Sequence, residues 1–383
     1  MVSLHTAHTL EADDAEYAIA EILDQLQLES NQKKYSAGTI FCHTDFTNSG
    51  VAQAIAERMP FDVVGSTFVS AMTPDMDDHL MLVFNLFTSD DVEISALKID
   101  NIAQPGSASE AYRNTFSAYT PSPGLIMSYF PMIIPRSIDS ILDELDSVSG
   151  GAPVYGGLAA DTASEYDLWQ VLYNGEAARD MAVSLFFFGD VHPQFFTSNM
   201  TTKYVQTEKS VITKSEGNIL MEVNDKPFIE YLKDNGFGEN VTASEFGSTP
   251  LLIDFCDGTP PVPRFVSALT PEGHTIIAGE APVGSLLSLG SIDYAHVIRV
   301  TEEVMKTAVS SGTKGLMLIH PCASNYLLMG AGVESQKEII RRYIGNEYRY
   351  TVGYSGGEVC PVYDKSGKRV NRFHNYTFVL CIL

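Results

Sequence analysis

Near its C-terminal end the chain carries Gly353-Tyr-Ser-Gly-Gly357, the G-x-S-x-G spacing in which a serine hydroxyl can act as a nucleophile. That chemistry needs a sharp strand-to-helix turn that presents the serine, and a base within hydrogen-bond reach. Here the next residues are Glu358-Val-Cys-Pro361, which read as a strand or turn. The glycines are therefore read as a bend where backbone approaches backbone or a ligand. Upstream, His320-Pro-Cys322 pairs an imidazole with a thiol. The two are too close in sequence to face each other by necessity, and activating a thiol takes spatial neighbours. Pocket lining or core packing is the expected role, and a hydrolase using Ser355 or Cys322 is kept as the enzymatic alternative.

Two carboxylates stand just beyond glycine bends: Asp161 after Gly156-Gly-Leu-Ala-Ala, and Glu358 after Gly353-Tyr-Ser-Gly-Gly. Such groups can bind an amine or guanidinium by charge-assisted hydrogen bonds, or accept backbone N–H groups of a loop. His374, with Asn375 and Thr377, fits a polar cluster at a pocket mouth, an axial ligand for haem iron, or a tie for neighbouring loop backbone. His43 and Asp45 follow an apolar strand, but no third metal ligand is placed by spacing. The chain has no G-x-x-x-x-G-K loop, no zinc-spaced Cys or His pairs and no C-x-x-C-H haem attachment signature. The expected site is thus one of binding, without catalytic or metal-ligating residues: Gly65, Thr67, Gly157, Asp161, Cys322, Gly357, Glu358, His374 and Asn375.

A repeated pattern positions these residues. An apolar strand is followed by a helix, a strand ending at glycine, and a second strongly apolar strand. The first copy is Thr39–His43, Val51–Arg58, Asp62–Thr67 and Leu80–Phe87; the second is Leu125–Phe130, Ser137–Val148, Pro153–Asp161 and Met181–Phe188. The third is Leu316–His320, Glu334–Tyr343, Tyr350–Glu358 and Thr377–Ile382. The periods are unequal, about 85 and then about 190 residues, which indicates internal duplication and not a solenoid. Between the second and third copies the sequence predicts strands near Leu251–Phe255, Arg264–Leu269 and Thr275–Gly279, and helices near Phe228–Lys233 and Asp293–Val309. The expected fold is α/β to α+β: two domains of repeated β-α-β-β units, with mixed sheets and outer helices. An acidic N-terminal helix is expected within residues 1–34, and the two domains over 35–200 and 201–383, divided where composition turns polar at Thr197–Lys209.

At the C-terminus, Gly357-Glu-Val-Cys-Pro361 followed by Phe373-His-Asn-Tyr-Thr377 resembles the close of the FIST C-terminal domain. His320-Pro-Cys-Ala-Ser324 resembles a cysteine-containing stretch of the same domain, and Val64-Gly-Ser-Thr67 with Gly156-Gly-Leu-Ala-Ala-Asp161 resembles the FIST N-terminal domain. The resemblance spans roughly residues 35–383, with one departure: Asn325 stands where the family usually carries an arginine. It implies a small-molecule sensor of bacterial type, of a kind found alone or joined to histidine kinases, chemoreceptors or cyclase-type output domains. One subgroup of the family is similar to haem-binding nitric-oxide sensors, so haem is a possible cofactor and a gas sensor the alternative function.

Composition narrows the partners. Among 383 residues, 24 basic side chains face 48 acidic ones, a net charge of −24. That opposes binding to nucleic acid or to an anionic membrane surface. The longest uncharged stretch, from Asn114 to Pro135, is broken by prolines and does not read as a spanning helix. The first basic residue is Lys33, so no secretory n-region is read, and the five scattered cysteines suit reduced thiols. A cytoplasmic sensor is expected, with a separate signalling partner and a homodimer as the default assembly. A pure interaction module is the remaining rival.

Overall fold

The computed structural model describes all residues of the chain except 118–121, 133–135, 163–166, 202–209 and 239–245. The expected α/β to α+β architecture with mixed sheets is present, and it is built from three copies of one unit. In unit 1 the opening strand Tyr35–Cys42 runs parallel to the glycine strand Val63–Thr67, with helix Val51–Arg58 between them in the chain, and antiparallel to the closing strand Leu82–Ser89. Unit 2 repeats this with Leu125–Phe130, Ile138–Ser149, Val154–Leu158 and Met181–Phe188. Unit 3 does so with Leu316–Pro321, Val333–Ile344, Arg349–Gly353 and Thr377–Ile382. Parallel neighbours need a crossover, which the helices supply, and strands covered on both faces read as continuous apolar runs such as Met181–Phe188.

Each unit is larger than the β-α-β-β pattern of the sequence. An additional edge strand pairs antiparallel with each closing strand: Ser3–Thr9 in unit 1, Glu93–Asp100 in unit 2 and Gln194–Asn199 in unit 3. A further helix follows each of these strands in the chain, Ala15–Leu26, Ser107–Phe116 and Tyr294–Ser310. These edge strands alternate half-exposed and buried positions or carry charges, so they lack the apolar run that marks the inner strands. The unequal periods also resolve. The third unit holds a separate body of short antiparallel strands, from Ser210–Glu216 to Leu286–Leu289, with helix Phe228–Asp234 and its own core around Leu220, Leu232, Leu251 and Leu287. Of the polar stretch Thr197–Lys209, residues 202–209 lie outside the described residues. Among the described residues no helix is long and apolar enough to cross a membrane.

The three units are tied by exchange. After each glycine strand the chain leaves its own sheet and completes the next. Ala71–Met72 pairs with the glycine strand of unit 3, Val171–Tyr173 with that of unit 1, and Glu358–Tyr363 with that of unit 2. Each visiting strand brings its hairpin partner, Asp77–Asp78, Glu176–Ala178 and Arg369–His374 respectively, giving three six-stranded sheets. At the crossings backbone meets backbone: Ala160 N–H donates to the Thr67 carbonyl at 2.7 Å, Val69 N–H to Tyr354 at 3.2 Å, and Gly356 N–H to Leu158 at 2.9 Å. Such approach requires glycine where strands run tightest. A Cβ at Gly65 would lie 2.2 Å from the Ile40 carbonyl oxygen, and one at Gly156 1.9 Å from that of Ser128.

The penultimate residues of the three opening strands, Phe41, Tyr129 and His320, meet where the units converge. Their ring centroids are 5.4, 5.4 and 6.2 Å apart in edge-to-face pairs. Phe68 stacks on Phe41 and Tyr155 on His320. All five rings are buried, in the geometry that the aromatic quadrupole favours. Phe41→Ala removes one corner of this triangle and is expected to lower unfolding free energy by about 3–5 kcal/mol, the range for a buried aromatic truncated to alanine. Urea denaturation measures it, against Tyr17→Ala on the exposed face of helix Ala15–Leu26, expected within about 0.5 kcal/mol of the unaltered protein.

Candidate functional site

The carboxyl ends of parallel strands are where open α/β sheets bind ligands, because the chain turns away there and leaves a crevice. Between units 2 and 3 this crevice is a cavity of about 60 Å³. Met132 follows the opening strand of unit 2, and Ala160 and Asp161 follow its glycine strand. Cys322, Ala323 and Ser324 follow the opening strand of unit 3, and Gly356 belongs to the chain leaving its glycine strand. Asn375 and Tyr376 form the turn before the last strand, and Phe265 reaches in from the inserted body. Larger grooves elsewhere, such as one of about 410 Å³ along Gly345–Tyr350, have a more polar lining. The cavity between units 2 and 3, apolar with a few polar groups, is the better lined for holding a small molecule.

Backbone at the crossing shapes the floor. A Cβ at Gly356 would sit 2.4 Å from the Ala159 carbonyl oxygen, so no side chain can occupy that wall. Asp161 Oδ2 accepts the N–H groups of Leu168 and Trp169, both at 2.8 Å, which orients its carboxylate and secures the returning loop. Asn375 Oδ1 accepts the Phe265 N–H at 3.1 Å, so the inserted body is stitched to the cavity rim. The same body is held by Arg264, fully buried, which donates to Asp139 Oδ2 and to the Phe373 carbonyl oxygen, both at 2.8 Å.

Behind the floor lies a buried polar cluster. Ser324 Oγ donates to Cys322 Sγ at 3.0 Å, and the Glu358 carboxyl lies against that thiol. Ser355 Oγ donates to Glu358 Oε1 at 3.4 Å, whereas Glu358 Oε2 has no hydrogen-bond partner. Desolvation raises Glu358 well above the ordinary carboxylate range; the same burial, with Glu358 nearby, pushes the Cys322 thiol up. Burial thus disfavours the ionised form of both groups.

Of the nine residues expected to form the site, the structure places Asp161, Cys322 and Asn375 on the cavity wall. Glu358 and Gly357 stand one layer behind, Glu358 against Cys322 and Gly357 against Phe373. Gly65, Thr67 and Gly157 serve the crossings: Gly65 faces Ile40, Thr67 exchanges hydrogen bonds with Gln170, and Gly157 packs on Ser355. His374 is buried opposite Glu358 in the strand ladder, with Nε2 3.0 Å from the Cys360 carbonyl oxygen. His43 caps helix Thr44–Asn48 by accepting the Asp45 N–H, and no group of three metal-binding side chains occurs among the described residues. Ser355 is followed by a strand and not a helix, so the nucleophile elbow is absent. Sequence reasoning missed Met132, Ala160, Phe265, Ala323, Ser324, Gly356 and Tyr376. Ala160, Ala323, Ser324, Gly356 and Tyr376 sit inside segments already singled out, while Met132 and Phe265 carry no local signal.

The residues present do not fit haem. His320 is enclosed by Phe41, Phe68, Tyr129 and Tyr155, and His374 commits Nε2 to a carbonyl; neither lines the cavity. A haem needs an open slot against its ligating imidazole, which the site does not offer.

The fold defines the class, a ring of three exchanged α/β units with a crevice at a unit boundary. Residues 36–226 match the family model described as the FIST N domain. Over that span, just under half of the chain, the sequence is similar to the FIST N domain, a domain of signal-transduction sensors. No curated protein matches the chain.

Burial holds both His320 and His374 down to a pKa of about 4, as desolvation disfavours the imidazolium. The unfolded chain titrates its histidines near pH 6.5, so stability from these neutral rings is complete above that pH and is lost as pH falls toward 4. Each imidazole is worth up to about 3 kcal/mol across this window. His320→Phe, which keeps a ring in the triangle, is expected to reduce the loss of stability between pH 6.5 and pH 4 by about that amount. Denaturant titrations at the two pH values measure the slope; an unchanged slope assigns it to other groups.

Proposed function

We propose that this protein is a small-molecule-sensing module that binds its ligand in the cavity between units 2 and 3 and passes the signal to a separate partner, such as a histidine kinase or a chemoreceptor. One observation carries this reading. The crevice at the strand ends is lined not by the two sheets alone but also by the body inserted into unit 3, which presents Phe265 and is tied to Asn375. A ligand that displaces or draws in Phe265 changes the seating of that body, and a partner bound to its outer surface reads the change. The ligand has a few heavy atoms, an apolar body against Met132, Ala160 and Phe265, and a polar end toward Ser324, Asn375 and Asp161. The FIST assignment extends in this reading to residues 201–383, supported by the Gly357–Pro361 and Phe373–Thr377 segments. The protein acts by binding and not by turnover; Ser355, enclosed and without an elbow, favours this over hydrolysis.

A thermal-shift screen against small amino acids, amines, organic acids and carbonyl compounds tests the reading. One chemical class is expected to raise the melting temperature saturably, by about 2.7 kcal/mol of stabilisation at a hundred times Kd. Ser324→Leu fills the cavity and is expected to abolish that response while keeping a cooperative melt. A flat response of the unaltered protein across the panel, or one that Ser324→Leu leaves intact, overturns the assignment of this cavity.

A further inference from the structure

No lysine or arginine precedes Lys33, while Glu11, Asp13, Asp14, Glu16, Glu21, Asp24 and Glu29 are acidic. Helix Ala15–Leu26 turns Ala18, Ile19, Ile22 and Leu26 into the core of unit 1 and leaves Tyr17 57% exposed. Leu10, the residue after edge strand Ser3–Thr9, is 50% exposed. Between the helix and the strand end runs a groove of about 290 Å³, whose lining includes Leu10, Glu11, Tyr17, Glu21, Gln25 and Met76. Met76 comes from the hairpin that unit 1 lends to unit 3, so the groove lies on the seam of these two units. Tyr17, Glu21 and Gln25 recur every fourth residue on one helix face, a stripe about 12 Å long. A single exposed leucine is ordinary; a leucine, a tyrosine and a methionine around one groove form an apolar patch.

The charge at this groove is unmet within the chain. Glu21 Oε2 accepts the Thr9 hydroxyl at 2.6 Å, and Glu11 Oε1 accepts the N–H groups of Asp13 and Asp14 at 2.8 and 2.9 Å. These bonds hold the carboxylates in place and bring no counter-charge. Among the described residues no ion pair involves Glu11, Asp13, Asp14, Glu16, Glu21 or Asp24. Lys337 and Arg341 are engaged by Asp77, the residue after Met76.

We propose that this groove docks a partner protein through a segment that carries lysine or arginine on either side of one or two apolar side chains. The lining dictates both halves of that chemistry. Leu10, Tyr17 and Met76 take an apolar side chain, and a tyrosine buries a large rigid surface at low conformational cost. Glu11 Oε2 and Glu21 Oε1, which carry none of the bonds above, take ammonium or guanidinium groups by charge-assisted hydrogen bonds. A bare polyamine leaves the apolar walls in water, and an apolar segment without cations covers carboxylates that it does not pair. The stripe on the helix matches about two turns of a partner helix laid along it. The net charge of −24 steers a basic segment toward the surface and repels an acidic one. The groove shares no residue with the cavity or the inserted body, so this docking is independent of where the ligand binds.

A synthetic amphipathic peptide of leucine, alanine and lysine is the probe, and an oligolysine of equal charge is the control. Fluorescence anisotropy with the full chain is expected to show the amphipathic peptide bound at least tenfold more tightly than the oligolysine. Leu10→Ser combined with Tyr17→Ala is expected to remove that margin with the melting temperature unchanged, since both side chains are exposed. Glu11→Gln combined with Glu21→Gln, which keeps the acceptor oxygens, is expected to weaken the amphipathic peptide at least tenfold and to flatten its salt dependence. Carbodiimide crosslinking followed by peptide mass spectrometry is expected to join the probe's lysines to Glu11 and Glu21. Equal affinity for the two peptides overturns the proposal, because charge alone then accounts for binding. Crosslinks spread evenly over the acidic surface, or an affinity that both double variants leave intact, overturn the groove as the docking site. Ser324→Leu in the cavity is expected to leave peptide binding unchanged, so the groove and the ligand site stand or fall separately.

Discussion

Every sheet in the ring is completed by a strand from the next unit, and this exchange of backbone hydrogen bonds is the constraint on which the rest of the structure depends. Without Val171–Tyr173 the glycine strand of unit 1 would present an open edge; without Glu358–Tyr363 so would that of unit 2, and without Ala71–Met72 that of unit 3. Buried N–H and C=O groups left unmet are costly, and an open edge invites pairing with other chains. No unit can satisfy its own backbone alone, so the three fold as one ring. The crossings bring Phe41, Tyr129 and His320 together as the ring's centre, two phenyl-type faces and one imidazole kept neutral by the absence of water.

The same constraint makes the site. Strands that leave their own sheet must part at their carboxyl ends, and the crevice between units 2 and 3 is the space left behind. The chain that crosses there carries Ser355, Gly356 and Glu358 into the interior, so polar groups are buried because topology takes them there. Their energetics follow from burial. An uncompensated charge in such a place is expensive, so burial raises the pKa of both Glu358 and Cys322. Arg264 keeps its charge by another route, with Asp139 as counter-ion and the Phe255 and Phe373 rings beside it. A buried ion pair of this kind adds little net stability but penalises every other seating of the inserted body.

Much of the interior was legible in the sequence. Helix Val51–Arg58 and strands Leu125–Phe130, Met181–Phe188 and Thr377–Ile382 fall where apolar periodicity puts them, because inner strands and amphipathic helices write their burial into residue type. Edge strands Ser3–Thr9, Glu93–Asp100 and Gln194–Asn199 were not legible: a strand with one half-exposed face carries mixed residues that read equally well as loop. Of the site, Asp161 was visible as a carboxylate just beyond a glycine bend, and Cys322 and Asn375 through the His320–Ser324 and Phe373–Thr377 segments. Phe265 was invisible, since a phenylalanine between two short strands has no local property that tells cavity wall from core.

By itself, then, the sequence determined the α/β character, the presence of a repeated unit and the FIST resemblance, since each depends on residue type at fixed local spacing. Only the tertiary structure decided that the three repeats exchange strands in a ring, that the extra segment of the last is a separate body with its own core, and which polar residues share a cavity. Pairing partners such as Val359 with Gly156, or Ala71 with Gly353, are far apart in the chain. Nothing in their local spacing specifies them; they are selected by the backbone hydrogen bonds and buried rings of the closed assembly.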